Sequence, residues 1–241
     1  MLIAAAVCPH PPLLVPESSG GQPGPIVPAA ASELRRLRAA CRDAVAVLLG
    51  AAPGLLVVTG GAPHTTEYPA DAGGSLTSFG VPFTVGAGSA LPLSLTIGKW
   101  LLAEAGAGIP LAVWWGIASA AAPGECLSLG EKLAALAPRV ALLALGDGPG
   151  RRARGVPGAA DPGADRYDGL VTAALAAADP GALAALDPGQ DEKLLVAGRA
   201  VWQVLAGAAS AAPGGAFAAG LRYAAAPFEV SYYVATWVRA H

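Results

Sequence analysis

Residues 2–14 read Leu-Ile-Ala-Ala-Ala-Val-Cys-Pro-His-Pro-Pro-Leu-Leu. Leu2 to Val7 is a continuous apolar run of strand length, the pattern of a strand buried on both faces of a sheet. Pro9, Pro11 and Pro12 end it, because proline fixes φ and has no N–H for a ladder. His10 is thereby carried just past a strand terminus on stiff backbone. Downstream, residues 16–28 are rich in Gly, Pro and Ser and read as a loop. Ser32 can cap a helix, with Glu33 favourable to its dipole in the first turn. Leu34, Leu37, Cys41, Val45 and Leu48 then recur at helical spacing. Residues 50–54 close that helix, and Leu55 to Thr59 is a second buried strand, followed by Gly-Gly-Ala-Pro-His at 60–64. This strand–helix–strand opening predicts the fold class: α/β, one domain, with a mixed or mostly parallel sheet and helices on both faces.

The rest of the chain continues the pattern. Helices are expected over Leu91 to Ala105, Leu127 to Ala137, Asp165 to Ala178 and Asp191 to Ala209. Strands are expected over Ile109 to Trp115, Val140 to Leu145, Ala216 to Tyr223 and Phe228 to Trp237. Residues 151–163 read as a Gly/Pro-rich loop. Neither an internal repeat nor a domain linker is apparent, so residues 1–241 are read as one domain.

Composition narrows the function classes. The chain is 54% apolar, but much of this is alanine, alongside 32 glycines and 22 prolines, so its apolarity is not that of a membrane protein. The uncharged stretch Ala105 to Gly124 contains Pro110, Pro123 and four glycines. Its apolar centre is strand-length, not bilayer-length. The apolar start lacks a basic region and does not read as a signal peptide, so a cytoplasmic protein without membrane association is expected. The formal net charge is −2. The basic groups Arg35, Arg36, Arg38 and Arg42, and Arg151, Arg152 and Arg154, are too small a footprint for nucleic acid. Cys8, Cys41 and Cys126 are odd in number and form no Cys-x-x-Cys pair, so neither a zinc ribbon nor a disulfide framework is expected. Trp114, Trp115, Trp202 and Trp237 offer surface for the core or for contacts between copies, which leaves a homo-oligomer open.

Ligands in open α/β sheets bind beyond the carboxyl ends of the strands. Three such ends carry distinctive polar residues: His10, then His64 with Glu67 and Asp71 close behind, and Asp147 between two glycines. Asp147 in that setting is also an ordinary turn-former. Two imidazoles and a carboxylate suit iron, manganese or zinc, and on ferrous iron they leave positions open for substrate and oxygen. Glu229, in Pro-Phe-Glu-Val-Ser-Tyr-Tyr at 227–233, is a carboxylate in an apolar run that needs a partner if buried and none if it faces solvent. Cys8 reads as a buried, inert thiol. The chain has neither a Gly-x-Ser-x-Gly elbow nor a Walker phosphate loop.

On these residues the chain resembles the class III extradiol ring-cleaving dioxygenase superfamily in its B-like form. The resemblance rests on the opening Met1-to-Leu14 segment, the strand followed by Pro-His at 55–64, and Ala-Pro-Phe-Glu-Val-Ser-Tyr-Tyr at 226–233. It implies Fe(II) or another divalent transition metal held by His10, His64 and Glu229, and a small aromatic or related substrate. The family also uses an acid/base histidine after a middle strand, where this chain has Asp147, and no histidine stands between His64 and His241. Asp147 and His241 are the groups left to take its role. Two readings follow: an extradiol-type metal-dependent oxidoreductase, or a non-catalytic relative whose degenerate site serves binding or assembly. A hydrolase using metal-bound water is a third.

Overall fold

The computed structural model describes residues 1–16, 28–87, 90–106, 111–150, 161–211 and 216–239. The loops expected at 17–27 and 151–160, the Arg151, Arg152 and Arg154 group, and His241 lie outside the described residues. In chain order the elements are β1 (Leu2–Cys8), α1 (Pro28–Gly50), β2 (Leu55–Ala62), β3 (Thr66–Tyr68), β4 (Gly74–Ser75), β5 (Thr84–Val85), α2 (Leu93–Glu104), β6 (Ala112–Ala118), α3 (Pro123–Ala134), β7 (Val140–Leu145), α4 (Gly163–Ala177), α5 (Pro180–Ala184), α6 (Pro188–Leu194), α7 (Arg199–Ser210), β8 (Phe217–Ala225) and β9 (Tyr232–Arg239).

Seven strands form one sheet in the order β3-β6-β2-β7-β1-β9-β8, with β4 and β5 as a separate small ribbon. β6, β2, β7 and β1 run parallel, and β3, β9 and β8 add antiparallel edges. The expected mixed, mostly parallel sheet is therefore present. The central strands alternate between two cores, as strand geometry demands. Val7, Val57, Leu142 and Ala144 face the side packed by α3, α4 and α7. Ala6, Cys8, Val58, Leu143 and Leu145 face the side packed by α1 and α2. Both faces are dry, which is why β1 and β7 read as unbroken apolar runs.

Several boundaries moved for local reasons. Helix α3 begins four residues before the expected Leu127, with Pro123 in the first turn and Glu125 accepting from the Ala122 N–H at 3.2 Å. The single helix expected over Asp191 to Ala209 is broken between α6 and α7, where Leu195 adopts φ 56°. Across the break Asp191 accepts from Arg199 Nε at 2.5 Å, and the fully buried Arg199 also donates to the carbonyls of Ser119 and Ala121. The break thus closes a buried ion pair that fastens the turn after β6 to the start of α7. The strand expected from Phe228 begins only at Tyr232, and residues 227–230 form the turn between β8 and β9.

Helices α3 and α7 meet backbone to backbone. A Cβ on Gly130 would lie 2.0 Å from the Val204 carbonyl oxygen, and one on Gly207 would lie 2.0 Å from that of Leu127. Gly130→Ala is therefore expected to push the helices apart and cost about 2 kcal/mol or more, read from the midpoint of urea unfolding. Gly124→Ala is the control, because a Cβ there meets nothing within 4 Å; equal losses from both variants would refute the contact.

Candidate functional site

The site is built at the carboxyl ends of β1 and β7. These neighbours pair in parallel through Cys8 opposite Leu145, and the ladder runs on by one bond from Gly146 N–H to the Cys8 carbonyl at 3.0 Å. After this point the chain leaves β1 toward α1 on one face and β7 toward α4 on the other. His10 and Asp147 are the side chains that meet there. The His10 backbone N–H donates to Asp147 Oδ1 at 2.9 Å. The His10 imidazole Nδ1 stands 3.6 Å from the same oxygen, with the two side chains only 11% and 14% exposed. That Nδ1 is buried and has no hydrogen-bond partner of its own.

Asp147 is held by its backbone as well as its carboxylate. Its carbonyl accepts from Ala197 N–H at 3.1 Å, Gly148 N–H donates to the Ser231 carbonyl at 2.8 Å, and Ser231 N–H donates to that of Pro149 at 3.0 Å. The flanking glycines are needed for close approach. A Cβ on Gly148 would fall 2.6 Å from the Tyr233 hydroxyl, and one on Gly146 would fall 2.6 Å from Gly198 Cα. Gly-Asp-Gly is thus a packed clamp that fixes a carboxylate, not merely a surface turn.

Burial pushes the Asp147 carboxyl above its ordinary range, against the opposing pull of His10 and its amide. The buried Tyr232 phenol is pushed up by burial and by the charge of Asp147 beside it. Tyr223, whose hydroxyl donates to Glu33 at 3.1 Å, is pushed up to about 12 by burial and that bond. Behind the clamp, the hydroxyls of Ser231 and Tyr233 both donate to Asp168. The Cys41 thiol is raised by the Cys8 thiol beside it and by burial. Cys8 and Cys41, distant in sequence, are therefore neighbours, and both are buried free thiols.

The other expected ligands lie along the same sheet edge but do not join His10. His64 is exposed in the turn between β2 and β3, with Glu67 and Asp71 also exposed beyond it. Glu229 is not in a buried strand. It is exposed in the β8–β9 turn with φ 62°, the left-handed conformation that tight turns require. Among the described residues no three His, Cys, Asp or Glu side chains gather in a group able to hold a metal ion. The set His10, His64 and Glu229, as positioned, does not fit a resident divalent metal. What the arrangement can do is keep a carboxyl of raised proton affinity beside a buried imidazole at the finishing ends of β1 and β7.

Sequence alone does not single out Tyr232, Asp168 or the Cys8–Cys41 contact. The Ser-Tyr-Tyr run at 231–233 is a visible signal for the first of these. The other two depend on packing alone.

No helix among the described residues is long and apolar enough to cross a membrane. No family model and no curated protein matches the chain. Among solved structures, an uncharacterized protein from Escherichia coli K12 is 16% identical, with 97% of this chain and 99% of that chain covered at a TM-score of 0.47.

The raised carboxyl has a consequence for stability. The folded state keeps the Asp147 proton at pH values where the unfolded chain has released it. Its contribution is therefore fully present below the ordinary carboxylate range and is lost as pH rises through the raised value. Asp147→Asn keeps an oxygen to accept the His10 N–H but cannot ionise. Melting temperatures measured from about pH 4 to about pH 7 should shift steadily in the variant's favour; a constant difference across that range would count against the burial of a titrating carboxyl.

Proposed function

We propose that this chain is a dioxygenase-like protein that binds a small molecule at the His10–Asp147 end of its sheet, as a non-catalytic relative whose metal site is degenerate. One observation carries the reading. The best-placed ligand, His10, lies buried beside Asp147, while His64 and Glu229 stand exposed on separate turns. A three-ligand site depends on all its members, because each supplies a large part of the affinity. The finishing ends of β1 and β7 instead carry a buried imidazole beside a buried carboxyl, at the end of a parallel sheet where α/β proteins take small ligands. A cytoplasmic place of work belongs to the same proposal and is supported by three cysteines that all remain free thiols.

A second reading keeps the metal-dependent oxidoreductase. The observation in its favour is the His10 Nδ1, a buried imidazole nitrogen without a hydrogen-bond partner and so an open donor. The test is anaerobic titration of the protein with Fe(II), followed by oxygen uptake and product analysis with catechols. The binding reading expects less than about a tenth of an equivalent of tightly held metal and no ring-opened product. Stoichiometric Fe(II) uptake that His10→Ala abolishes, with ring cleavage, would replace it with the enzyme reading.

A further inference from the structure

At the opposite end of the parallel strands from His10 lies an apolar groove of about 460 Å³. Its floor is Leu55, Val113, Trp115 and Leu133, where β2 and β6 meet α3. Leu111 and Leu136 form its rim and are 73% and 55% exposed, among the most exposed large apolar side chains described. Two further lining residues are charged, Glu67 on β3 and Lys132 on α3. Neither makes an ion pair among the described residues. Strand β3 pairs only with Trp114 to Gly116, so among the described residues no strand covers the outer edge of β6 at Ala112 and Val113.

We infer that this groove is the interface through which two copies of the chain form a two-fold dimer. The patch is self-complementary. One patch carries both a hollow and protruding leucines, and it carries one charge of each sign. A two-fold axis sets each copy's leucines over the other's hollow and each Glu67 against the other's Lys132, so one surface satisfies itself. Exposed apolar side chains clustered around a concave apolar floor mark association surfaces in soluble chains. The open end of β6 lies beside the same patch and adds main-chain groups for pairing. The groove follows the starting ends of β2 and β6, whereas His10 and Asp147 lie past the finishing ends of β1 and β7. Dimerisation therefore leaves the His10–Asp147 end of the sheet uncovered and does not depend on what that end binds.

Sedimentation equilibrium over a micromolar concentration series tests this on the full chain. The wild type should show a reversible monomer–dimer equilibrium. Leu136→Glu should raise the dissociation constant about tenfold or more, since it places a charge at the centre of the apolar contact. Glu67→Lys and Lys132→Glu should each weaken the dimer, and the double exchange should return it to within about twofold of wild type, because the pair re-forms with its signs reversed. Circular dichroism of each variant checks the fold, and Leu111→Asp serves if Leu136→Glu fails to fold. A wild type that stays monomeric, a dimer indifferent to Leu136→Glu or Leu111→Asp, or a double exchange no better than the single ones would overturn the inference. So would a monomer that takes up an apolar fluorescent dye in the groove, which would make the hollow a small-ligand site.

Discussion

The parallel pairing of β1 with β7 is the constraint on which the rest of the structure depends. β7 comes late in the chain yet inserts between β1 and β2. Its six residues are all buried, as are the seven of β1. Strands in that position have no solvent face, so helices must cover both sides. The same pairing fixes the register that brings the residue after Gly146 beside the residue after Pro9. The His10–Asp147 contact is thus a product of strand order, not of a local motif.

Placing a carboxyl beside an imidazole in that dry corner costs free energy, because a buried charge loses its hydration. The structure offsets part of the cost by aiming the His10 backbone N–H at the carboxylate oxygen. A charge-assisted bond of this kind is stronger than a neutral one. The surrounding clamp from Ala197 and Ser231 leaves the segment little freedom to turn the carboxyl toward water. Asp147 therefore stays where its proton affinity is raised, the condition under which a carboxyl holds its proton closer to neutral pH.

Small residues have a structural use beyond filling space. Gly130 and Gly207 allow α3 and α7 to touch through their backbones, and Gly146 and Gly148 allow three segments to converge on Asp147. A glycine- and alanine-rich composition is a poor guide to fold when read as an average. At these positions the absence of a side chain decides whether the elements fit.

Within the described residues, the fold class was legible in the sequence, because period and proline placement are local properties. The apolar run of Leu2 to Val7, its proline stop, the helical spacing from Leu34 to Leu48 and the second run at Leu55 suffice to specify alternating strands and helices. The same local information placed His10, His64 and Asp147 past strand ends. It could not say which of them meet, because that depends on strand order and on whether a turn directs its side chain inward. Glu229 looked like a strand residue because apolar neighbours surround it, yet the hairpin needed a left-handed residue there and turned it out to solvent. Cys8 and Cys41, and Asp147 with His10, are joined only when helix α1 and strand β7 pack beside β1. Residue types and local periodicity thus determined the elements, and tertiary packing decided which chemistry-bearing side chains became neighbours.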